Sequence, residues 1–196
     1  MSKFIEAIKK NREDIIKPVG VLLAICIIIP LALSVTNKVT AKKIAELEKE
    51  NSKKNMQSLV SADDFEKCSD GGIEYYAAVK GGETAAYIFT ESAKGYGGDV
   101  SVMTAVKPDG TVAGVAILDV SNETPGLGQN AAKENFYTQY AGLKKGISLL
   151  KNGAKAENNE VDAVTGATIT STAVTRAVNT ALDNFEKVKG ATVGEE

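Results

Sequence analysis

The sequence predicts an α+β protein: a single N-terminal transmembrane helix, followed by an antiparallel sheet with helices packed on one face. Three observations carry this. Residues 18–37 contain no charged side chain and are almost wholly apolar. Two pairs of apolar-rich runs follow, each pair closed around a turn signal. A final segment repeats its apolar residues at helical spacing, giving one face to pack on a sheet.

In chain order, residues 1–17 form a tail carrying Lys3, Lys9, Lys10, Arg12 and Lys17. The stretch PVGVLLAICIIIPLALSV comes next. As a helix it is about 27 Å long, close to the ~30 Å of a bilayer's hydrocarbon core. Ala32 and Ser34 would form a small-x-small cleavage site, but the apolar run exceeds a usual signal-peptide core, which favours an anchor over residues 18–37. Cys26 then lies in lipid and Cys68 in water, so the two cysteines are not disulfide partners. Beyond the span stand Lys38, Lys42, Lys43 and Lys49. Five basic residues before the span against four after it favour a cytoplasmic N-terminus, with the folded domain on the other side of the membrane.

Residues 38–60 are charged and lack Gly and Pro, which predicts a helical stalk or linker. Residues 61–190 form the folded domain and 191–196 a tail. IEYYAAVK and TAAYIFTES flank Gly81-Gly82-Glu83. DVSVMTAVK and VAGVAILDVS flank Pro108-Asp109-Gly110-Thr111. Between the pairs, Gly95-Tyr96-Gly97-Gly98 reads as a flexible tract able to approach something closely. A loop over 122–130, a helix around 136–142 and a polar segment to Asn159 come next. In the last helix Val174, Ala177, Val178, Ala181, Leu182, Phe185 and Val188 share a face, and Thr170, Ser171 or Thr172 is expected to cap its start.

Composition excludes several chemistries. The chain has 23 Lys+Arg, 25 Asp+Glu and no histidine. Residues 1–60 hold 11 basic and 6 acidic groups, whereas residues 61–196 hold 12 and 19. An acidic folded part argues against nucleic acid as a partner. The absence of histidine removes Ser–His and Cys–His nucleophile pairs, haem ligation by His and most zinc sites. Two cysteines are too few for an iron–sulfur cluster. No metal site and no catalytic residue is expected in this chain.

Two segments could carry chemistry. Asp162 to Thr168 reads DAVTGAT just ahead of the last helix, where small residues, free amides and the positive end of the helix dipole suit a phosphate. It is not a Walker loop, because no Gly-Lys-[Ser/Thr] follows. A hydroxyl-rich helix start over a tight turn explains the same residues. Glu123 to Gln129 reads ETPGLGQ, a loop that presents Leu127 and open amides and could bracket a flat ligand. Taken singly, that segment is better explained as an ordinary surface turn.

Together the two segments resemble the covalent-flavin subunits of the Rnf and Na+-NQR respiratory complexes, the FMN-binding domain family. The resemblance runs from about residue 60 through the last helix and includes the anchor, and the short chain is more similar to the G branch of Rnf than to the longer C branch of Na+-NQR. It implies that 61–190 is an FMN-binding domain with FMN esterified through its phosphate to Thr168, the last residue of TGAT. It implies cofactor contacts from Thr165, Gly166, Ala167, Glu123, Thr124, Gly126, Leu127 and Gly128, and recognition of Asp162 by a flavin transferase. Many relatives carry His two residues before the Glu of ETPGLG, where this chain has Ser121. The implied function is electron transfer within an ion-translocating ferredoxin:NAD+ oxidoreductase. The other Rnf subunits, the transferase and the lipid bilayer are the implied partners, and complete catalysis is not expected from this chain alone. A free-standing membrane-anchored flavoprotein and a tethered non-redox binding domain are the alternatives.

Overall fold

A computed structural model describes residues 12–150 and 159–192. Most of the expected tail 1–17, the end of the tail 191–196 and the polar segment 151–158 lie outside the described residues. Helix α1 (Arg12–Leu59) is 48 residues long and contains Pro18 and Pro30. Its stretch Ile16–Ala41 has a mean hydropathy of 2.7 with no part buried, so it is long and apolar enough to cross a membrane. The helix continues without a break from this apolar stretch into the charged one. The chain divides into two compact units after Asn51.

The second unit contains a five-stranded antiparallel meander in sequence order: β1 (Asp64–Asp70), β2 (Ile73–Lys80), β3 (Glu83–Lys94), β4 (Asp99–Val106) and β5 (Val112–Asp119). The Gly81-Gly82 turn has positive φ at both residues, and Lys80 pairs with Glu83, so Glu83 already belongs to the strand. At the second turn Asp109 accepts hydrogen bonds from the Thr111 amide (2.9 Å) and hydroxyl (2.6 Å). These hold its carboxyl below the usual carboxylate range.

Strand β1 is an addition to the expected hairpins. Its sequence DFEKCSD lacks apolar alternation because it is a charged edge strand, tied to β2 across the ladder by Lys67–Glu74 at 2.9 Å. The expected helix around 136–142 is smaller than anticipated. It consists of one α-turn, α2 (Glu134–Tyr137), and a 3₁₀ turn (Thr138–Tyr140), and a further 3₁₀ turn (Gly128–Ala132) precedes it in the expected loop. The segment read as polar contains β6 (Ser148–Leu150), paired in parallel with β7 (Glu160–Asp162).

Helix α3 (Thr168–Thr192) covers one face of the sheet, and all seven apolar positions expected on its inner side are at most 3% exposed. They pack on Phe89, Val102 and Val106, with Phe185 edge-on to Tyr87 at 5.2 Å. The opposite face is lined by Ala78, Ala86, Ile88, Met103 and Ala105 and is covered by Met56 of α1. Small side chains permit that close approach: a Cβ at Gly114 would lie 3.1 Å from Leu59 Cδ2.

Candidate functional site

The site forms where three loops converge at the N-terminus of α3. After β5 the chain turns, Glu123 N donating to Val120 O, and enters ETPGLG. Thr124 O accepts from the amides of Leu127 and Gln129, and Asn130 Nδ2 donates to Gly126 O at 2.6 Å. Gly126 has φ +77°, in the left-handed region that favours glycine. The loop is therefore held by its own hydrogen bonds and projects Leu127 outward.

The second loop is the turn after β7. Ala167 N donates to Val164 O at 2.9 Å, and Gly166 has φ +76°. Positive φ at the third residue is the type II pattern, which favours Gly there. The helix begins at Thr168, earlier than the expected caps. Thr170, Ser171 and Thr172 consequently lie inside the helix, and their hydroxyls serve other partners. Ser171 Oγ accepts from Val164 N and donates to Ala167 O, both at 3.0 Å. Thr172 Oγ1 donates to Thr168 O at 2.7 Å. Thr170 Oγ1 donates to Glu123 Oε2. The amides of Thr168, Ile169 and Thr170 have no intrahelical acceptor, as at any helix start.

Glu123 ties these loops together. It is 2% exposed. Its Oε1 accepts from the amides of Tyr96 (2.9 Å) and Gly97 (3.0 Å) in the glycine tract, while Oε2 takes the Thr170 hydroxyl. Burial pushes its pKa up, but the Thr170 hydroxyl and the amides of Gly97, Tyr96 and Gly98 outweigh burial and hold the carboxyl below the ordinary glutamate range. The glycine tract is packed rather than loose. A Cβ at Gly95 would lie 2.4 Å from Glu123 Oε1, and one at Gly97 1.9 Å from Asn122 O. Gly128 is similarly confined, its Cβ falling 2.5 Å from Glu123 Oε2.

A cleft of about 520 Å³ opens between ETPGLG and the start of α3. Glu123, Thr124, Leu127, Gly128, Gly166, Ala167 and Thr168 all border it. The two motifs meet there: a Cβ at Gly166 would be 3.0 Å from Leu127 Cδ2. Asp162 and Thr165 instead border a neighbouring cleft of about 560 Å³, beside Lys133 and Gln139. Gly126 shapes the loop and lines neither cleft.

Tyr96, Ile169 and Thr170 also border the first cleft and were not expected as site residues. Tyr96 is 72% exposed, Ile169 54% and Leu127 44%; among the described residues they are the only exposed large apolar side chains outside α1. An aromatic inside a glycine tract, and an apolar residue off the buried stripe of α3, were the signals available. Three exposed apolar side chains beside free amides and the exposed Thr168 hydroxyl fit a ligand with a flat apolar ring and a phosphate.

Residues 95–183 match the FMN-binding domain family. The chain is 39% identical over 165 residues to the G-type subunit of the proton-translocating ferredoxin:NAD+ oxidoreductase complex of Clostridium ljungdahlii, covering 84% of this chain and 85% of that relative. It is 34% identical over 188 residues to the G-type subunit of the Na+-translocating ferredoxin:NAD+ oxidoreductase complex of Acetobacterium woodii, covering 86% and 90%. Among solved structures it resembles the C-type subunit of the Na+-translocating NADH-quinone reductase of Parabacteroides distasonis, with TM-score 0.52 and 26% identity over 59% of this chain and 62% of that one. The NqrC of Shewanella oneidensis shares the fold, with TM-score 0.51 and 23% identity over 59% and 63%. The chain thus spans about three fifths of each of these structural neighbours.

Proposed function

The chain belongs to the family of G-type subunits of ion-translocating ferredoxin:NAD+ oxidoreductases, the Rnf complexes, and on that premise we propose that it holds one FMN, esterified through its phosphate to Thr168, as an electron-transfer subunit. One observation carries this: among the described residues, the only exposed large apolar side chains outside α1 line a single cleft, and Thr168 stands at its border on the N-terminus of a 25-residue helix. FMN, when attached, supplies the redox chemistry that a chain without histidine and with two separated cysteines lacks.

The chain's own part is to bind, orient and shield. Leu127 and Ile169 offer apolar contact to the ring. The amides of Thr168, Ile169 and Thr170 face the phosphate. Esterification takes a phosphate of about −2 to a diester of about −1, which a helix N-terminus still favours by about 0.3–1 kcal/mol. A covalent tether prevents loss of the cofactor to a compartment without an FMN pool. Asp162, on the neighbouring cleft, is offered to the flavin transferase without touching the ring.

Residues 18–37 cross the bacterial inner membrane once, 38–60 act as a stalk, and 61–190 bind FMN on the extracytoplasmic side. The charge asymmetry of the tail and the apolar stretch of α1 support this arrangement. The remaining subunits of the complex supply the sites for ferredoxin, NAD+ and the ion.

Co-expression of the full chain with a flavin transferase, followed by intact mass and in-gel fluorescence after denaturation, tests the proposal. The wild type should carry one FMN and Thr168→Ala none. Thr170→Ala should keep the adduct, with about 1–3 kcal/mol less stability because the buried Glu123 carboxylate loses its hydroxyl partner. An adduct that persists in Thr168→Ala would overturn the assignment.

A further inference from the structure

Among the described residues, Tyr96 is the most exposed large apolar side chain of the folded unit, at 72%, yet its backbone is among the most constrained. Gly95 N donates to Gly98 O at 2.8 Å, closing a tight turn around it. The Tyr96 and Gly97 amides are both held by the buried Glu123 carboxylate. A Cβ at Gly95, Gly97 or Gly98 would collide with Glu123 or Asn122 at 2.4, 1.9 and 2.8 Å. Such a turn cannot swing to bury the ring elsewhere. An aromatic side chain on a fixed backbone, left in water, is presented to a ligand or partner.

The placement selects a ligand in the adjoining cleft. Tyr96 borders the same cleft as Leu127, Ile169 and Thr168. The carboxylate that fixes Tyr96 also binds Thr170, two residues after Thr168 on the first turn of α3. One buried side chain therefore sets the position of Tyr96 relative to the helix start.

We infer that Tyr96 is an aromatic wall of the flavin cleft, lying against the ring system, and that Glu123 is the positioning residue that sets it there. The inference rests on the FMN reading above and adds two roles: direct ring contact for Tyr96, and action through Tyr96 and Thr170 for Glu123. Both carboxylate oxygens of Glu123 are engaged within the protein, so it acts on the cleft through the groups it holds.

Flavin fluorescence in the full chain, purified in detergent after flavinylation, tests it. A tyrosine against the ring quenches the excited flavin by passing it one electron, which then returns, so nothing is consumed. Tyr96→Leu should retain the FMN adduct by intact mass and lengthen the fluorescence lifetime several-fold. Tyr96→Trp should keep the lifetime short. Glu123→Gln retains an acceptor for the two amides and should stay close to the wild type, whereas Glu123→Leu should free the turn and lengthen the lifetime. A flavinylated Tyr96→Leu with an unchanged lifetime overturns the ring contact and leaves the FMN reading intact. A wild-type chain with no adduct overturns both. Equal lifetimes in Glu123→Leu and wild type would remove Glu123 from the proposal.

Discussion

The two clefts on either side of the Val164–Ala167 turn differ in character although one short motif feeds both. The first is walled by Tyr96, Leu127 and Ile169 and has Thr168 at its border. The second is lined by Asn130, Lys133, Gln139, Asp162 and Thr165, among others. Gln139 anchors the second wall, its Oε1 accepting from Asp162 N at 2.9 Å. A single positive-φ glycine, Gly166, turns the chain from one surface to the other. DAVTGAT thus faces two clefts, with Gly166, Ala167 and Thr168 bordering one and Asp162 and Thr165 the other. Residues adjacent in sequence can have separate tasks.

Breaking the first side should have the largest effect. Thr168→Ala should abolish the covalent adduct while leaving the fold intact, checked by mass and circular dichroism, since losing one exposed hydroxyl changes stability little. Breaking the second side should be graded. Asp162→Ala should lower the fraction flavinylated per unit of transferase without changing the melting temperature. Equal, complete flavinylation at limiting transferase would show that the second cleft plays no part in modification.

Smaller perturbations sharpen the contrast. Gly128→Ala places a Cβ 2.5 Å from Glu123 Oε2 and 2.8 Å from Thr170 Oγ1, which should cost about 1–3 kcal/mol in denaturant unfolding. Leu127→Ala should keep the adduct and shift the flavin spectrum or potential modestly; loss of the adduct would show that ETPGLG serves the transferase instead.

Acid titration gives the subtlest effect. The folded-state pKa of Glu123 is depressed, so its contribution to stability is full above the ordinary glutamate range and is lost as pH falls through the lowered folded value. Glu123→Gln should flatten that part of the stability–pH curve, measured by chemical denaturation at a series of acidic pH values. An unchanged slope would show that the carboxylate's charge is not what binds the loops together.

What was legible in the sequence was local. The uncharged run of α1, the Gly81-Gly82 and Asp109-Gly110 turns, and the apolar stripe of α3 each depend on neighbours a few residues apart, where spacing and turn chemistry act directly. The two motifs were legible for the same reason, as short runs of distinctive residues. What only the tertiary structure decided depends on distant contacts. β1 is a strand because β2 pairs with it, although DFEKCSD has no strand pattern of its own. Gly95, Gly97 and Gly98 read as flexible but are glycines because Asn122 and Glu123 fill the space a Cβ would need. Glu123 reaches Tyr96 across 27 residues and Thr170 across 47, and no pattern along the chain encodes that a buried carboxylate will close those loops. Local periodicity sets which elements form. Long-range packing and the need to satisfy a buried charge set where the site's walls stand.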